Sequence, residues 1–135
     1  MLLSMALVVS AGALQAKAPT VVNDDITLST DNKTDQDITV KVFYKPTDST
    51  GNLIKKTEIF TVAAGSLDKK RALSFPKITT IEFENETDKF AKDETNNAII
   101  TSSDIANSTT KEFTVKLEIK GKKNDKKAVA TLKTK

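Results

Sequence analysis

The chain has 135 residues, a formal net charge of +3, no cysteine and no histidine. Without cysteine it has no disulfide and no thiol nucleophile, and without histidine it lacks the commonest general base and transition-metal ligand. One tyrosine and no tryptophan leave few aromatic platforms for a sugar-cleaving site, so we expect a protein that is not an enzyme.

The first 16 residues read MLLSMALVVSAGALQA and contain no charged side chain. An apolar stretch followed by small residues is typical of a secretory signal peptide, and it is shorter than the about 20 residues that a membrane-spanning helix needs. We therefore expect residues 1–16 to be removed and residues 17–135 to form one domain without a transmembrane segment. An exported domain without disulfides favours a bacterial protein of the periplasm or the extracellular space.

The first predicted strands are residues 26–29 and 38–45, separated by a turn segment rich in Asp and Asn at residues 30–37. In the second strand the apolar side chains stand at every other position, which is the period of a half-buried strand. Ile38, Val40, Val42 and Tyr44 form its predicted inner face. Phe43 is the exception on the outer face, so we interpret it as a possible exposed contact residue.

Three further strands are predicted at residues 53–62, 71–75 and 79–85. The first has an uncertain phase, because Phe60 and Val62 share one face while Ile59 points away. Pro76 ends the second, since proline cannot donate a hydrogen bond to a sheet ladder. Residues 86–97 are predicted as a loop or one helical turn, with Phe90 anchored in the core.

The C-terminal part contains the clearest pattern, KEFTVKLEIK at residues 111–120. Phe113, Val115, Leu117 and Ile119 alternate with polar residues, which indicates a strand with one apolar face. A short strand at residues 98–101 and a polar connection at residues 102–110 with one anchor, Ile105, precede it. A loop at residues 121–127 and a return strand at residues 128–132 follow.

Seven or eight strands with turn clusters between most of them, and no sustained helical period, predict an all-β fold. We expect an immunoglobulin-like antiparallel β-sandwich, although the cysteine pair and core tryptophan of true immunoglobulin domains are missing. An amphipathic strand like that of residues 111–120 cannot bury its apolar face alone, so a second layer of strands must cover it.

The basic end of the chain is the main candidate for binding. Residues 111–135 contain nine lysines against three acids, Glu112, Glu118 and Asp125. This pattern favours contact with anionic surfaces, such as lipid head groups or acidic glycans. Lysines on a terminal strand also block edge-to-edge aggregation, which is the simpler interpretation. Interleaved aromatic residues and arginines are missing, which argues against nucleic acid. The possible anion contacts are Lys122, Lys123, Lys126 and Lys127.

Other polar patterns are weaker. Asp31, Asp35 and Asp37 only partly match a calcium loop, because no closing glutamate and no turn glycine are present. Residues 82–94 are acidic and are interpreted as a solvated strand face and loop. As an alternative, Glu82 and Glu84 could face Lys116 and Lys120 across neighbouring strands and help to specify the pairing. Three triplets beginning at Asn32, Asn85 and Asn107 match the N-glycosylation pattern.

We assign no catalytic, cofactor-binding or metal-ligating residue. The ligand is expected to be a protein, a glycan or an anionic surface, and a carboxylate-based hydrolase is the enzymatic alternative.

Overall fold

The structure is a computed structural model that describes residues 23–92 and 96–134. Within these residues it contains eight strands and one short helix. The predicted signal peptide lies outside the described residues. The elements are β1 (Asn23–Asn32), β2 (Ile38–Tyr44), β3 (Lys56–Val62), β4 (Leu67–Pro76), β5 (Ile78–Glu84), β6 (Ile100–Thr101), α1 (Ser102–Asn107), β7 (Glu112–Lys120) and β8 (Lys127–Thr134).

The strands form two four-stranded sheets, which confirms the all-β prediction. Sheet one has the order β4-β1-β7-β8, and sheet two has the order β3-β2-β5-β6. Between the named strands every pairing is antiparallel except that of β1 with β7, which is parallel. The expectation of a purely antiparallel sandwich is therefore wrong at this pairing. A parallel pair needs a long connection, and here that connection contains all of sheet two.

The core lies between the inner faces of the two sheets. The alternation in β2 is confirmed, because Ile38, Val40, Val42 and Tyr44 are all buried. In β7 the alternation holds for Phe113, Val115 and Leu117, whereas Ile119 stays exposed at the end of the strand next to its turn. The inward prediction therefore fails at Ile119, one residue before the end of the strand.

Side chains close one lateral side of the sandwich, between the edge strands β3 and β4. The guanidinium of Arg71 lies 4.0 Å from the centre of the Phe60 ring, a cation–π contact between the two sheets. Tyr44 and Phe75 stack with their ring centres 5.2 Å apart. These contacts compensate for the missing backbone pairing between the two edges.

Backbone closes the opposite lateral side. The amide of Phe90 donates to the carbonyl of Phe83 in sheet two, at 2.9 Å, and the amide of Ala130 in sheet one donates to the carbonyl of Ala91, also at 2.9 Å. Phe90 is fully buried, which confirms the predicted anchor. Of the two predicted alternatives for this region, the loop is the one that residues 85–92 adopt.

The short helix α1 was not predicted. Residues 102–110 were expected to be a connection with Ile105 as its anchor, and Ile105 is indeed buried. The helix begins with a capping box in which Thr101 accepts a hydrogen bond from the Asp104 amide while the Asp104 carboxylate accepts one from the Thr101 amide. A helix of six residues is too short to show a helical period in the sequence.

Strand bounds also differ from the predictions. The strand predicted at residues 53–62 begins only at Lys56, and Leu53 makes an isolated bridge with Thr47 instead. The strand predicted at residues 71–75 extends over Leu67–Pro76. This longer edge strand pairs along almost the full length of β1.

Candidate functional site: a lysine-lined groove beside the β7–β8 hairpin

The β7–β8 hairpin presents the predicted anion contacts to solvent. Its turn depends on Gly121, which has a φ of +112°, a backbone conformation that favours glycine. Within the turn the amide of Asp125 donates to the carbonyl of Lys122 at 2.8 Å. The predicted contacts are all exposed: Lys122, Lys123, Lys126 and Lys127.

A groove of about 510 Å³ lies where the loop of residues 85–92 crosses β8, and we call it the hairpin groove. Lys126 and Lys127 line it from the hairpin, while Lys89 and Lys92 line it from the crossing loop. The two loop lysines are not among the contacts predicted from the sequence. Nothing in the local pattern indicates that this loop would reach the hairpin, because the contact depends on the pairing of Ala91 with β8.

The charge in the hairpin groove is unbalanced. Asp88 is the one acid among the described residues that line it. Lys92 lies 3.3 Å from the carboxylate of Asp104, so α1 holds this lysine in place. Lys89 and Lys126 are exposed and form no ion pair within the described part of the chain. Their positive charge is therefore available to an anionic ligand.

The Asp104 carboxylate lies near this groove, where it takes part in the capping box of α1 and pairs with Lys92. Partial burial tends to raise its pKa, but hydrogen bonds from Thr101 and the neighbouring Lys92 ammonium together lower the pKa of Asp104 below its usual value. The carboxylate therefore stays ionised at neutral pH and fixes Lys92 beside the groove.

The remaining lining of the hairpin groove is partly apolar. Ala91, Ala128 and Val129 contribute to it. Ala128 is also the direct cross-strand neighbour of Ile119, the apolar side chain that β7 leaves exposed. The groove therefore combines a charged rim with a small apolar surface, which is the general composition of a ligand site.

Phe43 lies in a different place from the hairpin lysines. It is partly exposed on the outer face of sheet two, where it lines a groove of about 270 Å³ with Lys45, Lys55 and Glu82. This Phe43 groove is near the C-terminal end of β2, whereas the hairpin is at the opposite end of the sandwich. The register pairs Tyr44 with Ile78 at one end and Thr39 with Glu84 at the other. The structure therefore does not bring the two predicted contacts together.

The acids of the sequence analysis have other partners. Asp31 lies 3.5 Å from Lys33, and Asp37 accepts a hydrogen bond from the Ala64 amide at 3.0 Å. In the parts of the chain that the structure describes, no three acidic residues gather closely enough to hold a metal ion. Asp31 shares a groove with Glu112. However, the register places Glu112 beside Thr27, about 13 Å along the strand from Asp31, which exceeds the carboxylate separation of glycosidases.

The predicted facing of Glu82 and Glu84 with Lys116 and Lys120 is wrong, because the two pairs belong to different sheets. Glu84 pairs with Lys41 at 3.2 Å. Lys116 and Lys120 both lie close to Glu118, at 3.6 and 3.7 Å. The facing would require β5 and β7 to be neighbours, and their actual neighbours are set by contacts that are distant in sequence.

The three glycosylation triplets differ in accessibility. Asn32 is fully buried, and its amide donates to the carbonyls of Gln36, Val62 and Ala63. Asn85 is partly buried and accepts a hydrogen bond from the Thr87 amide. Asn107 is exposed at the end of α1. Of the three side chains, that of Asn107 is the most accessible, and that of Asn32 is closed to an enzyme without unfolding.

No family model matches this chain, and neither a curated protein nor a solved structure matches it. Residues 23–92 and 96–134 contain no helix that is long and apolar enough to cross a bilayer.

Proposed function

We propose that this chain is an exported, non-enzymatic β-sandwich module that binds acidic glycans through the hairpin groove. The observation that carries the proposal is the convergence of Lys89 and Lys92 with Lys126 and Lys127 around one concavity. Lysines that merely protect a sheet edge need no partners from a distant loop. The exposed ammonium groups of Lys89 and Lys126, which come from two separate segments and face one groove, match a polymer that carries carboxylates or sulfates.

A glycan fits this groove better than a lipid surface. The hairpin turn between Gly121 and Lys126 has the sequence GKKNDK and contains no apolar residue. A membrane contact at the turn would therefore depend on charge alone and would be weak. The apolar surface of Ala128 and Val129 lies inside the groove, where the carbon face of a sugar ring can contact it.

Binding is tested with a sulfated hexasaccharide derived from heparin, by calorimetry at low and at moderate salt. The double variant Lys89→Gln/Lys126→Gln removes two exposed charges from the hairpin groove. At about 0.5 kcal/mol for each exposed charge contact, we expect the affinity to fall about fivefold. The affinity of the unmodified protein should also fall with salt, because exposed charge pairs are screened.

The matched control is Lys45→Gln/Lys55→Gln, which changes the net charge equally but lies at the Phe43 groove. This control should bind the hexasaccharide as the unmodified protein does. An equal loss in both variants would mean that net charge alone attracts the ligand. The glycan proposal is wrong if the hexasaccharide does not bind, and vesicles containing phosphatidylserine bind and lose affinity in the variant Lys89→Gln/Lys126→Gln. In that case the ligand is a lipid surface.

Export is supported by the apolar, uncharged sequence of residues 1–16, and the periplasm or the extracellular space is the location that we propose. N-terminal sequencing of the protein recovered from those fractions of an expressing bacterium should give Lys17 as the first residue. A product that retains Met1 and stays inside the cell would contradict this part of the proposal. The lack of histidine and cysteine supports a non-enzymatic role.

We also propose that the likeness to immunoglobulin domains is one of architecture. Two stacked sheets with a shared core, and a chain that passes repeatedly between them, support this comparison. The strand order and the parallel pairing of β1 with β7 differ from the antiparallel sheets of immunoglobulin domains. A solved structure in which the two sheets pack at about −30°, as in aligned sandwiches, would support the comparison, and orthogonal packing would oppose it.

A further inference from the structure

The four edges of the two sheets are not equally protected. Edge strand β4 pairs with β1 through an irregular register, contains Lys70 at a positive φ of 52° and ends at Pro76. Edge strand β8 is crossed by the backbone of Ala91. Edge strand β6 has two residues and leads directly into α1. Bulges, prolines, short strands and covering loops all hinder the addition of another strand.

Edge strand β3 has none of these features. Its seven residues pair with β2 in an unbroken register, and within the described residues β3 has no second neighbour. Ile59 in its middle is 60% exposed, and Leu53, just before the strand, is 59% exposed. Exposed apolar side chains beside an open, regular strand edge are typical of an interaction surface.

Two charges on β3 determine which strand could pair with it. Lys56 and Glu58 are opposite Tyr44 and Val42, so their side chains point to the inner side of the sheet. Charges pointing inward on an edge strand disfavour pairing with an arbitrary strand. A strand with the opposite charges at the facing positions is the exception, because it would neutralise both.

We propose that β3 is the interface of a symmetric dimer, in which it pairs antiparallel with β3 of a second copy of this chain. When the two-fold axis passes through Thr57, Lys56 faces Glu58 of the second copy, and Glu58 faces its Lys56. A two-fold axis thus uses the same charge pair twice. Opposite charges directly across an antiparallel pair stabilise the pairing.

The charge pattern also selects this register from its neighbours. An axis through Lys56 would place two lysines opposite each other, and an axis through Glu58 would do the same with two glutamates. An axis through Ile59 would place Glu58 opposite Phe60 and Lys56 opposite Val62, so that neither charge has a partner. In the register centred on Thr57, Ile59 instead lies beside the aliphatic stem of Lys55 of the second copy, which covers part of its exposed surface.

The dimer would join two copies of sheet two into one eight-stranded sheet. The hairpin groove lies beside β8, away from this edge, so both grooves would remain open. The inference does not rest on the proposed function, because the oligomeric state is measured without any glycan. Dimerisation and hexasaccharide binding can therefore fail independently.

The test is sedimentation velocity over a wide range of protein concentration. The unmodified chain should approach twice its monomer mass as the concentration rises. Lys56→Glu and Glu58→Lys should each remain monomeric, because each creates facing like charges. An equimolar mixture of these two variants should form a heterodimer, since every facing pair is then of opposite sign. The double variant Lys56→Glu/Glu58→Lys should dimerise again.

The mixture separates the interface from effects on folding, because a variant that fails to fold cannot be rescued by its counterpart. Lys69→Glu on the edge strand β4 carries the same charge reversal and should leave dimerisation unchanged. A chain that stays monomeric at the highest concentration would overturn the proposal. So would a mixture of Lys56→Glu with Glu58→Lys that remains monomeric, or a loss of dimer caused by Lys69→Glu.

Discussion

The hydroxyl of Tyr44 donates a hydrogen bond to Glu58 Oε1, with 2.9 Å between the oxygens. Tyr44 is on β2 and Glu58 is on the neighbouring edge strand β3, and the Tyr44 ring also stacks on Phe75 of the opposite sheet. Tyr44 thus connects the charge of Glu58 on the edge strand to the stacking with Phe75, which closes the lateral side of the sandwich between β3 and β4. Burial, followed by the hydrogen bond and negative charge of Glu58, raises the pKa of Tyr44.

We expect Tyr44 to ionise above its ordinary pKa of about 10. Since the folded state holds this proton more tightly than the unfolded state, the stabilisation is complete below the unfolded pKa. It is lost as the pH rises through the folded pKa. The chain has one tyrosine and no tryptophan, so ultraviolet absorbance of the phenolate reports on Tyr44 alone. Glu58→Gln should lower the midpoint, and an unchanged midpoint would show that the Glu58 charge has no influence.

The side-chain hydroxyl of Thr30 leads to a second prediction. Thr30 is fully buried, and within the described residues its Oγ1 has no hydrogen-bond partner. An unpartnered buried hydroxyl costs free energy, and valine has nearly the same shape without that group. Thr30→Val should therefore raise the free energy of unfolding by about 1 kcal/mol, measured by urea denaturation.

Thr34→Val is the matched control, since Thr34 is also buried but donates to Asn32 Oδ1 at 2.7 Å. This substitution should lower the free energy of unfolding by about 1–3 kcal/mol, because it leaves buried polar groups without partners. If the two substitutions change stability in the same direction, then the difference in hydrogen bonding is not what determines their effect.

The capping box of α1 predicts a pH dependence. The pKa of Asp104 is lowered in the folded state, by the combination of burial, hydrogen bonds and the Lys92 charge described above. Its stabilisation is therefore present above the unfolded pKa of about 3.9 and is lost as the pH falls through the folded pKa. Asp104→Asn should lower the free energy of unfolding by about 1 kcal/mol at neutral pH. That difference should shrink at pH values near 3.

Asp35→Asn is a suitable control, because Asp35 is exposed in the turn between β1 and β2. Its effect on stability should be small at both pH values. The capping explanation would be wrong if the difference between Asp104→Asn and the unmodified protein stayed constant across this pH range.

The sequence predicted the parts of the fold that depend on local alternation. Val40 and Leu117 face the core because each stands in a regular two-residue period, and both are fully buried. The prediction of buried positions failed where burial did not follow from the two-residue period. Ile119 continues the alternation of β7, yet it is exposed one residue before the strand ends at Lys120.

The candidate site was only half predictable. Lys126 and Lys127 follow from a visible lysine cluster, whereas Lys89 reaches the same groove because Phe90 is anchored under β5 and Ala91 pairs with β8. The parallel pairing of β1 with β7 was not predictable for the same reason. Contacts between segments that are far apart in the sequence leave no local pattern, so strand neighbours cannot be read from periodicity.

The hairpin turn supports a final prediction, which links stability to the groove. A Cβ at Gly121 would overlap the carbonyl oxygen of Asp125, at a backbone φ of +112° that side chains rarely adopt. Gly65 also has a positive φ, of +68°, but a Cβ there would meet nothing within 4 Å. Gly65→Ala should therefore cost about 1 kcal/mol from backbone strain alone. Gly121→Ala should cost about 3 kcal/mol, because the turn must also move.

Urea denaturation of both variants measures these costs, and calorimetry with the heparin hexasaccharide measures their effect on binding. We expect Gly121→Ala to weaken binding, because a displaced turn moves Lys126 and Lys127 away from Lys89. Gly65→Ala lies in the β3–β4 turn and should bind as the unmodified protein does. Equal costs in stability would mean that the hairpin turn adapts freely. A larger cost for Gly121→Ala together with unchanged binding would indicate that the position of the hairpin lysines does not matter to the ligand.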